Sequence, residues 1–230
     1  MTLIKPEISP DLSDYNHLLM LSDYESLSPK LRQEWELLRR TYMDENMDWH
    51  VKDDRDRYDA DPATLQLLML NSKGGISAGM RLTPCSSIEK TLSWGMLPDI
   101  TIEHARGIDG PVWDLTRLVP GNNIGKSDSM SAFAELFGAA LARTQEIDSN
   151  PRWIFATHLS FVRAFQRNGI EFTVIPDTER NGNALCYAFP VQRTKFLIDK
   201  QDDFQIAHDS VMRGIQRVNS GWGINGSDIS

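Results

Sequence analysis

The stretch Pro111-Val112-Trp113-Asp114-Leu115-Thr116-Arg117-Leu118-Val119 decides how the chain is read. Side chains alternate across a strand, which puts Val112, Asp114, Thr116 and Leu118 on one face and Trp113, Leu115, Arg117 and Val119 on the other. It reads as a strand with polar groups on both faces. Toward the C-terminus the pattern alternates. Met130, Phe133, Phe137, Ala140 and Leu141 recur at helical spacing behind the cap candidates Ser127 and Asp128. Trp153 to Thr157 is the next strand, and Phe161, Val162 and Phe165 mark a helix closed by Asn168-Gly169. Glu171 to Ile175 and Ala184 to Val191 read as two more strands. A last helix carries Phe204, Ala207, Val211, Ile215 and Val218.

Toward the N-terminus, Leu65 to Leu70 and Ile76 to Leu82 flank Asn71-Ser72-Lys73-Gly74-Gly75, an antiparallel hairpin whose glycines supply positive φ. Before it, Leu31, Trp35, Leu38 and Tyr42 form the apolar stripe of a helix started at Ser28-Pro29. Residues 1–29 read as a loosely packed arm with one helical turn near Leu18 to Leu21. The series predicts one α/β domain over 30–220, a three-layer α/β/α sandwich, with a flexible tail over 221–230.

Composition limits the function. The chain has 230 residues, 40% hydrophobic and 24% charged, within the globular range. A net charge of −8 argues against a general duplex-binding protein held by phosphates, so no nucleic-acid partner is expected. Apolar runs fall far short of the ~20 residues that cross a bilayer, so no membrane insertion and a cytoplasmic location are expected. Cys85 and Cys186 stand 101 positions apart without ligand spacing to histidine, so no metal site or disulfide is indicated. Residues 44–61 carry eight acids against three bases, an acidic loop. The phosphate-loop imitation Gly121-Asn122-Asn123-Ile124-Gly125-Lys126-Ser127 has three residues between its glycines where that motif needs four, and Pro120 lacks an N–H.

The unusual chemistry lies in Leu38-Arg39, Trp49, Asp56, Tyr58-Asp59, Gly79-Met80-Arg81-Leu82 and Trp113-Asp114-Leu115-Thr116-Arg117-Leu118. In this order, from about Leu38 to Pro176, the chain resembles the LuxI type of acyl-homoserine-lactone synthases. Met43 stands where that family usually has phenylalanine, and Asp114 where it usually has glutamate.

The resemblance implies a fold similar to the GCN5-related N-acetyltransferases. It also implies transfer of an acyl group from an acyl-carrier-protein or acyl-CoA thioester to the amine of S-adenosylmethionine. Lactonisation with release of methylthioadenosine would follow, making a quorum-sensing signal. S-adenosylmethionine and the thioester are then substrates, and no cofactor is required. A zwitterionic sulfonium needs a guanidinium for its carboxylate, carboxylates for its amine and an aromatic near its sulfur. Arg39, Met43 and Trp49 are the expected S-adenosylmethionine contacts; Asp114, Arg117, Asp56, Asp59 and Arg81 the expected catalytic group, with Asp114 or a water it orients as base. Leu115, Phe155, Thr157, Phe161, Phe165 and Ile170 are the expected acyl pocket.

Between residues 150 and 170, Arg152, Arg163 and Arg167 stand without an acid, and Arg163 and Arg167 are i, i+4 neighbours expected to dock an acidic carrier protein. The competing readings are an acetyl-CoA-dependent N-acetyltransferase acting on another small amine, or a catalytically weakened ligand-binding relative.

Overall fold

The computed structural model describes residues 18–47, 57–97, 99–121, 126–170, 172–179, 182–188 and 205–219. Among the described residues, seven strands form one mixed sheet. They are β1 (Leu18–Ser22), β2 (Leu65–Leu70), β3 (Ile76–Cys85), β4 (Val112–Pro120), β5 (Trp153–His158), β6 (Thr173–Val174) and β7 (Asn183–Ala188), in the order β1-β2-β3-β4-β5-β7-β6. All neighbours are antiparallel except β4 and β5, which are parallel and joined through a helix, as a parallel pair requires. The described α-helices are α1 (Pro29–Met47), the single turn α2 (Leu92–Gly95), α3 (Lys126–Gln145), α4 (Leu159–Arg167) and α5 (Gln205–Asn219).

Alternation along the strands sorts the core into two faces. Leu67, Met69, Met80 and Leu82 point to the layer of α3, α4 and α5, where Phe133, Phe137, Phe165 and Val211 meet them. Leu68, Leu70 and Ile76 point the other way, to Leu31, Trp35 and Leu38 of α1. Farther along that second face, Val112, Ile154 and Leu185 meet Ile88 and Leu97. The expected three layers are present. In the tight α3–α5 crossing, a Cβ on Gly138 would lie 2.0 Å from the Val211 carbonyl oxygen, so only glycine allows the approach.

Two expectations change. Leu18–Ser22 is a strand, not a helical turn: it pairs in register with β2 from Leu18↔Leu70 to Ser22↔Gln66. The same segment continues into Tyr24 and Leu27, buried under α1. The face assignment within β4 holds only to Thr116. Opposite the single residue Met80 of β3, between the pairs Arg81↔Thr116 and Gly79↔Val119, β4 has two residues, Arg117 and Leu118, one more than the ladder needs. This is a β-bulge, and it inverts the alternation beyond it. Leu118 therefore packs toward the α3 face with Trp113 and Leu115, while Val119 joins the α1 cluster, the reverse of simple alternation.

The acidic loop over 48–56, the residues 122–125, the arm over 1–17 and the tail over 221–230 lie outside the described residues; Asp44 to Met47 belong to α1. No described helix is long and apolar enough to cross a membrane. Both cysteines are buried and free, and burial pushes each thiol up to about 12.

Candidate active site

The bulge opens the sheet. β4 and β5 pair only at Trp113↔Trp153 and Asp114↔Ile154, and at the end where the bulge bends β4 away the space between them becomes a pocket. Its empty space is about 660 Å³, counting the open mouth. Tyr42 of α1, Ser93 of α2 and Met96 beside it, and Thr116 and Arg117 of β4 line one part. Leu115, Phe137, Phe155, Phe161 and Phe165 line the other. Thr157 also lies on the wall, so five of the six expected acyl contacts come together. Ile170 does not: it is buried in the core around Phe165 and Phe172, because the chain turns away from the pocket at Gly169 (φ 75°).

Arg117 stands in the left-handed region at φ 58°, where a side chain other than glycine costs about 1–3 kcal/mol. The bulge thus retains an arginine on the pocket wall where glycine would relax the backbone. Arg117→Gly is expected to be more stable than Arg117→Ala by about 1 kcal/mol, because both lose the guanidinium and only glycine relieves the strain. Urea midpoints of the two variants check this; equal midpoints would show that the bulge rearranges once the side chain is gone.

On the α1 side of β3 and β4 a buried ionic chain leads to the pocket. Arg39 of α1 donates through Nη1 to both oxygens of Asp59 at 3.0 Å. Arg81 donates through Nη1 to Asp59 Oδ1 at 3.0 Å and through Nε to Thr116 Oγ1 at 3.0 Å. Asp59 and Arg81 have fully buried side chains and Arg39 nearly so. Gln66 links the group to the helix: it accepts from Trp35 Nε1 at 2.9 Å and donates to Asp59 Oδ1 at 3.4 Å. Aromatic faces carry the cations, with Arg39 over Trp35 at 5.3 Å and Arg81 over Tyr58 at 5.5 Å. Tyr58 is fixed by its hydroxyl, which donates to the Lys90 carbonyl at 3.0 Å.

Asp114 is fully buried and reaches the pocket indirectly. Its Oδ2 accepts from the amides of Leu92 at 2.6 Å and Ser93 at 3.3 Å, and its Oδ1 accepts from Ser93 Oγ at 2.5 Å. Leu92 and Ser93 are the residues that face the cavity. Burial pushes the Asp114 carboxyl up to about 6, against the lowering pull of Ser93, the Leu92 amide and Arg81.

Of the remaining expected site residues, Trp49 and Asp56 lie outside the described residues, and Met43 is described only as part of α1. Arg163 and Arg167 are exposed on α4. Arg152 is not a free member of that basic patch: its guanidinium holds the carbonyls of Asp109 and Pro111, the latter at 2.9 Å. Ser93, Tyr42 and Met96 were missed by sequence reading. Tyr42 was read only as the last member of the apolar stripe of α1; Ser93 and Met96 sit in and beside a single turn with no periodicity.

No protein-family model matches the chain and no curated protein is matched. Solved structures do resemble it. BjaI, a CoA-dependent acyl-homoserine lactone synthase solved with MTA, is 14% identical over 89% of this chain and 99% of its own, with a TM-score of 0.55. The AHL synthase LasI is 19% identical, covering 75% of this chain and 88% of its own, with a TM-score of 0.55. An acyl-CoA N-acyltransferase from Pseudomonas aeruginosa is 14% identical over 74% of this chain and 97% of its own, with a TM-score of 0.51. The fold expected from the sequence is therefore the fold found, an α/β sandwich shared with N-acyltransferases and with LuxI-type synthases.

Proposed function

We propose that this chain is an acyl-homoserine-lactone synthase. It takes an acyl group from a carrier-protein or coenzyme A thioester, transfers it to the amine of S-adenosylmethionine, and closes the lactone with release of methylthioadenosine. One observation carries this reading. Arg39, Asp59 and Arg81, far apart in the sequence, form a single buried chain whose last link, Thr116, stands on the pocket wall beside Arg117. Structural likeness at this identity supports the fold, and the site residues support the reaction.

The acyl group lies among Leu115, Phe155, Phe161 and Phe165, with its thioester carbonyl toward Thr157, Thr116 and Arg117. S-adenosylmethionine enters from the α1 side, where Tyr42 lines the pocket and the buried Arg39–Asp59–Arg81 chain stands behind Thr116. Arg81 and Arg117 temper the field of the carboxylates, which would otherwise hold the substrate amine in its unreactive ammonium form.

Asp114 acts through Ser93. As the amine nitrogen bonds to the thioester carbon, its proton passes to Ser93 Oγ while the Ser93 proton passes to Asp114. The C–S bond then breaks and the proton returns to the departing sulfur. A carboxylate whose protonation lies near 6 is ionised at neutral pH yet basic enough to take part. Arg163 and Arg167, exposed and adjacent on α4, supply the positive face for an acidic acyl carrier protein.

The likeness to an acyl-CoA N-acyltransferase supports a second reading, acetyl transfer to another small amine. One assay separates the two. Purified protein incubated with S-adenosylmethionine and hexanoyl-CoA or hexanoyl carrier protein is expected to release methylthioadenosine only when both substrates are present. Thiol release from acetyl-CoA with other amines, and none with S-adenosylmethionine, would select the second reading. Binding of S-adenosylmethionine without turnover would select a ligand-binding relative.

A further inference from the structure

The inner end of the pocket is closed by rings. Phe137, Phe155, Phe161 and Phe165 belong to its wall. Behind three of them lies Phe172, which is buried and is not itself on the wall. Its ring meets Phe155 edge-on at 4.5 Å, Phe165 edge-on at 5.4 Å and Phe137 at 5.4 Å. Phe137 and Phe165 also touch edge-on at 5.3 Å, which closes the set. Phe137 is backed in turn by Trp153 at 6.0 Å.

These spacings are those of directly packed aromatic pairs. In a close-packed interior such a set leaves no channel through which an alkyl chain continues, and Phe172 is the ring that three walls lean on. A long straight acyl chain entering past Thr116 and Thr157 would have to displace it. A compact group ends before reaching it, and a branched or aryl group presents to the surrounding ring edges the flat or bulky surface they pack against.

We propose that Phe172 determines acyl specificity, acting as a stop behind the pocket that admits compact acyl groups, branched and aryl ones included, and excludes long straight chains. The proposal rests on reading this pocket as the acyl site, and its test uses binding as well as turnover so that the two ideas fail separately. S-acyl pantetheines from butanoyl to dodecanoyl, together with isovaleryl and benzoyl forms, are titrated calorimetrically into the full chain. The same acyl groups are then offered as coenzyme A thioesters with S-adenosylmethionine.

Wild type is expected to bind up to a length ceiling and to lose affinity beyond it. In Phe172→Ala the ceiling moves outward, and the dodecanoyl-to-hexanoyl affinity ratio rises roughly 15-fold, two further methylenes at about fourfold each. Removing a buried ring can unfold a domain, so Phe172→Leu is measured beside it and is expected to shift the ratio in the same direction by a smaller factor. A ceiling in binding without any turnover would leave the stop in place and remove the synthase reading. Equal binding of hexanoyl and dodecanoyl forms by wild type, or an unchanged ratio in a folded Phe172 variant, would overturn the stop.

Discussion

Replacing Asp59 by alanine is expected to cost about 3–5 kcal/mol, enough to unfold much of the population in a domain of ordinary stability. The carboxylate accepts from Arg39 and from Arg81, both charged and buried, and their guanidinium groups cannot shed a proton to escape the interior. Removing it takes from two buried cations the carboxylate they share. The result would appear in urea titrations as a lowered midpoint with an unchanged slope. A loss below about 1 kcal/mol would mean that other groups hold the guanidiniums and that the chain from α1 to Thr116 is not a unit. Because Arg81 also positions Thr116 on the pocket wall, any Asp59 variant that stays folded is expected to turn over slowly as well.

Asp114→Asn is expected to lower kcat by about 10²–10⁴, the usual contribution of a positioned acid–base group. The change is nearly isosteric: the amide oxygen can still accept from the Leu92 and Ser93 amides, and Nδ2 can donate to Ser93 Oγ once that hydroxyl rotates. What disappears is the proton acceptor. Stability moves the opposite way, and the pH dependence gives its sign.

Burial holds the folded carboxyl near 6, above its ordinary value of 3.8. Below about 4 it is protonated in both folded and unfolded chains, and it adds no pH dependence. Between about 4 and about 6 the unfolded chain has released the proton and the folded chain has not, so this group makes stability fall as pH rises. Above about 6 the cost is complete, roughly 3 kcal/mol. The asparagine variant escapes this cost. Its stability relative to wild type should therefore climb through that window and then level off. Parallel stability curves for the two proteins would contradict the burial argument, and unchanged turnover in Asp114→Asn would remove Asp114 from the proton path.

The sequence carried more of the fold than of the site, for reasons visible in particular residues. The apolar stripe Leu31, Trp35, Leu38 and the hairpin around Gly74-Gly75 are set by local spacing, and both are present, with Gly74 at positive φ and Gly75 not. Leu18–Ser22 is a strand because β2 offers it an edge, a tertiary fact that no local pattern in so short a run encodes. The bulge at Arg117 could not be read from alternation, since an arginine at positive φ carries none of the glycine signal that marks such a place. Missing it put Leu118 and Val119 on the wrong faces and concealed why β4 and β5 separate.

Arg39, Asp59 and Arg81 were recognised as a set by their motifs; that they bond to one another, with Thr116 as the link to the pocket, depended on a helix, a turn and two strands meeting. Ser93 and Phe172 were beyond reach for opposite reasons. Ser93 is an ordinary residue in a single turn that matters because Asp114 lies under it. Phe172 looks like any core aromatic until the rings in front of it prove to be a pocket wall. Arg152 shows the converse, a charge that seemed to join a surface patch and is spent on two loop carbonyls.

The measurement that bears most directly on the central claim is mass spectrometry of organic extracts from a host expressing the chain, with Arg117→Ala as the control. An acyl-homoserine lactone with a compact acyl group, present with wild type and absent with the folded variant, is the predicted result. No lactone in a host shown to supply hexanoyl and branched acyl thioesters, or the same lactone at the same level from Arg117→Ala, would contradict the account.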